Sequence, residues 1–205
     1  MGKRLTWGNA RTLLDLGELV ARWLEGRLQK TPWYDFPPDE ETEAIAEWLA
    51  RLNRAGLVTD GSQPGMSLDS YGCAQRAFLT AYTSEVVAKR VAALSLYTDL
   101  IVFFFEPGGA GGYMVPVTVA EFHPCTWAGS CFGEVAVEDF GRDLSIAVRD
   151  ELRAAWEVTV IDPVWGRKSY LWEAVVGAVA SPGPEELRWS IRPYDPESPE
   201  IEFCR

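Results

Sequence analysis

One histidine, four cysteines and no apolar stretch of membrane-spanning length set the first limits on this 205-residue chain. A lone His123 cannot supply the clustered imidazoles of a typical zinc site, and no CxxC pair stands in for them. Cys73, Cys125, Cys131 and Cys204 are too few to staple a domain of this size, so a reduced, cytoplasmic protein is expected. No run of residues is long and apolar enough to span a bilayer, and the start, MGKRLTWGNAR, lacks a secretory hydrophobic region. Basic residues are also short, 19 against 30 acids, for a formal charge of -11. That balance disfavours direct nucleic-acid binding, which needs a concentrated basic surface. No cofactor or metal set is legible, and the oligomeric state is left open.

What the chain does have is aromatic mass, with 9 tryptophans and 9 phenylalanines, and an ordinary hydrophobic share of 47%. This suffices for one generous core. The pattern predicts a single α/β or α+β domain, a mixed sheet of about four to six strands flanked by helices, over residues 1–192. An acidic, proline-rich tail follows over 193–205.

The first helix is expected from about Thr12 to Gln29, opened by Thr12 and Asp15 as a capping box. Glu18 and Arg22 are spaced to pair across one turn, and Gly17 leaves room for a close neighbour. Pro32 to Pro38 carries Trp33, Tyr34 and Phe36, as a lid or as packing over the core. A second helix starts at the cap Asp39 and stops at Gly56 in a Schellman-type turn.

Next come an extended Leu57–Thr59, then Ser62-Gln63-Pro64-Gly65. Pro64 biases Gln63 away from helix and Gly65 can take a positive φ, so the four residues read as a type II corner between two strands. Cys73 to Tyr82 reads as the second strand, with Arg76, Phe78, Thr80 and Tyr82 on one face. A helix from Ser84 to Ser95 leads to Leu100–Phe105, whose unbroken apolarity predicts a central strand. Tyr113 to Phe122 should follow as an antiparallel strand across a flexible glycine connection. Gly108–Gly112 lacks the GK[ST] ending and GxGxxG spacing of phosphate loops. A helix within 139–153, a strand over Trp156–Ile161 ended by Asp162-Pro163, and a helix over Ser169–Ala180 complete the reading.

Asp15-Leu16-Gly17-Glu18-Leu19, Leu52-Asn53-Arg54-Ala55-Gly56-Leu57-Val58-Thr59, Ser62-Gln63-Pro64-Gly65 and Gln75-Arg76-Ala77 form a distinctive set. It resembles an uncharacterised actinobacterial, Streptomyces-type family of unknown function bearing an LNRAGxxTxxSQPG motif. The likeness runs to about Phe105 and more loosely over Trp156–Val176. It implies a genomic setting that includes phages and mobile elements, and no activity or catalytic residues.

The functional expectation is a small cytosolic binding or regulatory protein, in a phage–host setting, recognising a protein or a small nucleotide-like ligand. Ser62, Gln63, Arg76, Tyr82 and Trp33 are the candidate ligand-binding residues. An amide on a fixed corner both donates and accepts, and Arg76 offers a planar set of donors. Two alternatives stay open. One is an enzyme using Cys125 and His123, or carboxylates with Arg76. The other is an acidic nucleic-acid-mimicking inhibitor.

Overall fold

The computed structural model describes residues 4–131 and 143–180. The element order begins with a 3-10 turn (Trp7–Asn9), α1 (Leu13–Leu24), α2 (Glu40–Glu43), α3 (Ala46–Arg54), β1 (Val58–Gln63) and β2 (Ala74–Thr83). It continues with α4 (Glu85–Ala92), α5 (Leu94–Tyr97), β3 (Ile101–Phe105), β4 (Gly111–Ala120) and β5 (His123–Cys131). It closes with α6 (Ile146–Arg153), β6 (Trp156–Trp165) and α7 (Tyr170–Ala180). The expected α/β domain with helices flanking a sheet is what the chain forms. The tail over 193–205, the segment 139–142 and Cys204 lie outside the described residues.

Local chemistry starts and stops the helices. Thr12 Oγ1 accepts from Asp15 N at 3.1 Å while Asp15 Oδ2 accepts from Thr12 N at 3.3 Å, closing the expected capping box. At the end of α3, Leu57 N donates to Leu52 O and Gly56 N to Asn53 O, both at 3.1 Å, which is the Schellman pattern. The first two helices are shorter than the sequence suggests. α1 ends at Leu24, and the expected second helix breaks at Ala44–Ile45 into α2 and α3.

β2 organises the sheet. Its residues 76–83 pair with β6, residues 78–82 pair with β1 on the other edge, and Ala74–Gln75 pair with β4. The strand order is β3-β6-β2-β4-β5, with β1 on β2, and every described pairing is antiparallel. Alternation along the strands then makes two cores. Ala77, Leu79 and Ala81 of β2, with Val158 and Val160 of β6, face the helices and join Leu16, Leu49, Leu52 and Trp172 in the larger one. Phe78, Ile101, Phe103 and Ile161 face the other way, under Val115, Val117 and Ala128 of the β4–β5 hairpin.

Three expectations change. Among the described residues Ile101–Phe105 is an edge strand, paired with β6 alone. Its apolar run reflects partial cover, with Val102 against the helix-side core and Ile101 and Phe103 under the hairpin, while Phe104 stays 47% exposed. β4 accordingly pairs with β2 and β5, not with β3. β6 runs through Asp162-Pro163 to Trp165. The Asp162 carboxylate is fully buried, accepts from Val164 N at 2.9 Å, and pairs with Arg167 Nε from just past the strand, so Asp162 sits inside the strand instead of ending it. Arg167 in turn donates to Asp99 at 2.8 and 3.1 Å and stacks on Tyr170.

Candidate functional site

The presumed corner is a strand. Ser62 pairs opposite Leu79 and Gln63 opposite Phe78, so both lie within β1. Gly65 has no positive φ; a Cβ there would stand 2.3 Å from Arg167 O, and close approach of that backbone is what requires glycine. The hairpin continues past Pro64, with Met66 and Gln75 exchanging 2.9 Å backbone bonds.

Gln63 is nearly buried, and its carboxamide is committed to the protein. Nε2 donates to Arg76 O at 2.9 Å and Val117 O at 2.8 Å, and Oε1 accepts from Thr118 Oγ1 at 3.0 Å. One side chain thus ties β1, β2 and β4 together. Arg76 is committed in the same way: Nε donates to Pro163 O at 3.1 Å, Nη1 donates to Pro116 O at 2.8 Å, and the guanidinium lies 4.2 Å from the centre of the Trp165 ring. Burial lowers its pKa. Tyr82 is a core residue, 2% exposed. Burial raises its pKa, ahead of the nearby Asp60 and Glu157 charges.

Ser62 and Trp33, by contrast, meet at a pocket of about 190 Å³ between α1, the 31–39 loop, α2, α3 and the edge of β1. Helix α1 contributes Val20, Trp23 and Leu24, and α3 contributes Leu49. The loop brings Trp33 and Tyr34, α2 with its cap brings Asp39 and Thr42, and β1 lays Thr59 through Ser62 along one side.

Each wall is held in place. A turn in which Thr31 N donates to Tyr34 O and Tyr34 N to Thr31 Oγ1, both 2.9 Å, fixes the loop. Trp23 Nε1 donates to Phe36 O at 3.0 Å. Trp33 meets Trp7 edge-on at 5.6 Å, and Tyr34 meets Trp23 at 5.9 Å. Tyr34 Oη donates to the Asp39 carboxylate at 3.0 to 3.1 Å, which retains the phenol proton and raises its pKa.

The β1 wall hangs on Asn53. This wholly buried amide donates from Nδ2 to Leu49 O and to Thr59 Oγ1, both 2.8 Å, and accepts from Thr59 N at 3.1 Å. α1 crosses here so closely that a Cβ on Gly17 would meet Asn53 O at 2.1 Å. Arg54, beside it, bonds Glu18 at 2.8 Å and both oxygens of Glu25 at 2.7 and 2.8 Å, joining α3 to α1. Glu18 also takes Arg22 at 2.8 Å, the pair expected from their spacing.

Asp60, the residue at the register shift of β1, is exposed and lines the pocket. Desolvation by the surrounding protein, with the Glu157 charge added, pushes its pKa up to about 6.

The sequence reading reached Trp33 and Ser62, assigned Asp39 to capping and Thr59 to an extended run, and placed Trp23 only within the span of the first helix. The spacing of Asp39 and Thr42, which share one turn facing the loop aromatics, is the signal that could have found them. His123 and Cys125 both stand on the exposed outer hairpin; Cys125 Sγ lies 3.6 Å from Thr118 O, and no hydrogen bond joins the two side chains among the described residues. None of the described helices is long and apolar enough to cross a membrane.

Part of the chain is similar to two curated enzymes. It is 32% identical over 62 residues to methylenetetrahydrofolate reductase 1 of Schizosaccharomyces pombe, covering 30% of this chain and 10% of that protein. It is 34% identical over 58 residues to methylenetetrahydrofolate reductase 2 of Saccharomyces cerevisiae, covering 28% and 10%. The chain therefore spans about a tenth of the length of these relatives. A family model described as a domain of unknown function (DUF6919) matches residues 2–182, and the chain belongs to that family.

Proposed function

We propose that this domain is a cytosolic binding or regulatory module whose pocket between α1, the aromatic loop and β1 takes a small, flat, polar ligand that is uncharged or cationic. The observation that carries the reading is the make-up of the pocket: Trp23, Trp33 and Tyr34 supply ring faces, Thr42, Thr59 and Ser62 supply hydroxyls, and Asp39 and Asp60 supply carboxyl groups. Aromatic walls with a few fixed polar groups are the usual make-up of a small-molecule site. With two carboxyl groups and no lysine or arginine among the described residues that line it, the pocket repels phosphate. The nucleotide-like expectation narrows to a nucleoside-like or similar heteroaromatic compound. About 190 Å³ is below the ~300–1,000 Å³ of drug-sized sites and suits a compact ligand.

Ser62 and Trp33 are the ligand-contacting residues of this reading. Gln63 and Arg76 act behind them by holding β1, β2 and β4 in register, and Tyr82 packs beneath. The reductase chemistry named for the two relatives stays with them, since the likeness reaches about a tenth of each.

Native mass spectrometry of the purified full chain, with saturation-transfer NMR against a panel of nucleosides and heteroaromatic amines, tests the reading. A bound small molecule should be seen in the parent protein and lost in both Ser62→Trp, which fills the pocket, and Trp33→Ala. Retention of every ligand by folded samples of both variants would place binding elsewhere.

A further inference from the structure

The outer surface of the β4–β5 hairpin is apolar and nearly free of charge. Tyr113 is 81% exposed, Met114 53%, Phe122 68% and Trp127 45%, and the neighbouring 66–73 connection adds Leu68 at 47% and Tyr71 at 79%. The two segments are one surface: Phe122 N donates to Gly72 O at 3.0 Å, and Gln75 pairs with both Met66 and Thr118. The inner side chains of the hairpin, Val115, Val117 and Ala128, already cover the sheet, which leaves Met114, Pro116 and Trp127 on the opposite side.

At about 200 Å² per aromatic residue the four rings expose on the order of 550 Å², and Leu68 and Met114 bring the total to roughly 700 Å². The largest apolar patch of a typical monomer is about 300–600 Å². A standard protein interface takes about 800 Å² from each partner.

We propose that this face is the interface of a homodimer, two copies meeting hairpin to hairpin about a twofold axis. Charge selects a second copy. The molecule carries -11 overall, yet the two segments of this face, Met66 to Cys73 and Pro107 to Cys131, contain two carboxylates, Asp69 and Glu121, and no lysine or arginine. Copies that repel through most of their surface can approach through this one. The contact is face to face. β5 ends the strand order, but Pro124 lacks an N–H and the register of the hairpin is broken at several points, both of which oppose edge-to-edge strand addition. A twofold contact of this kind is self-complementary and closes at two subunits.

Sedimentation equilibrium of the full chain tests it. Twice the chain mass is expected at micromolar loading, with association weakened at least tenfold in Met114→Glu and in Tyr113→Glu. Ile146→Glu, an equally exposed site on α6 away from the hairpin, should change nothing. Circular dichroism confirms that each variant is folded, and Tyr113, the more exposed of the two hairpin positions, is the substitution least able to disturb the core. A single chain mass at loadings up to about 100 µM, above the range such an interface gives, would overturn the proposal and leave the face to residues 181–205 or another partner. So would a dimer that both hairpin substitutions leave intact.

Discussion

Replacing Asn53 with alanine removes three hydrogen bonds from a residue with no solvent exposure. The consequences differ at each. Leu49 O keeps its place in the helical ladder, and Thr59 Oγ1 lines the pocket and can turn to water, so each loss costs about 1 kcal/mol. Thr59 N–H has neither remedy, because the residue is 9% exposed and the donor points into the α3–β1 junction; an orphaned buried donor costs about 1–3 kcal/mol. The expected destabilisation is therefore about 3–5 kcal/mol, a large share of the ~5–15 kcal/mol that holds a domain together. With a urea slope of about 3 kcal/mol/M the unfolding midpoint should fall by roughly 1–1.7 M. Asn53→Asp should cost a comparable amount although it is isosteric, since it deletes both donors and buries a charge. The assay is urea unfolding followed by tryptophan fluorescence and far-ultraviolet circular dichroism. A midpoint shift below about 0.3 M at unchanged slope would mean that the α3–β1 junction relaxes to water and that Asn53 does not hold the pocket wall.

Gln63→Leu should destabilise the domain by about 2–4 kcal/mol in the same assay, because the carbonyls of Arg76 and Val117 and the hydroxyl of Thr118 all lose their partner. Hydrogen bonds from Arg54, followed by those from Arg27, hold the Glu25 carboxyl down to about 2. Its contribution is complete above the ordinary value near 4.5 and is lost as pH falls toward 2, so acid unfolding of Arg54→Ala should show a shallower pH dependence between those limits. Asp60 runs the opposite way. With its pKa raised to about 6 the folded state binds the proton more tightly, so stability rises as pH falls from above 6 toward 3.8, and Asp60→Asn should raise the midpoint at pH 7.5 and flatten that slope. Gly65→Ala should be strongly destabilising at every pH, since its Cβ would press on the Arg167 carbonyl.

Features set by neighbours in sequence were legible. The Thr12–Asp15 cap, the Glu18–Arg22 pair and the Gly56 stop depend on residues a few positions apart, and all three stand as read. What was not legible depends on distant backbone. Pro64-Gly65 has the composition of a turn, yet the constraint on Gly65 is Arg167, about a hundred residues away. Gln63 looked free to meet a ligand because its three partners lie on β2 and β4. Leu100–Phe105 was placed in the middle of the sheet because apolarity on both faces reports cover, and strand order is decided by hydrogen bonds that side-chain patterns do not encode. Of the pocket, Trp33 and Ser62 were read as binding residues; Trp23, Asp39 and Thr59 each had a sufficient structural explanation, and only the packing of α1 against α3 brings them together.

The three-way pairing of β2 has a consequence for how the molecule is made. Its first partner, β1, is available within a hairpin, but Leu79 meets Val160, about 80 residues later. A chain emerging from the ribosome must therefore hold β2 with one edge unfilled until β6 arrives, and loop closure across that span makes the final step slow. During that interval the open edge, rich in alanine and threonine, can pair with another nascent chain. Synthesis rate and chaperone supply, more than the stability of the finished domain, should then govern how much of it accumulates in an expressing cell.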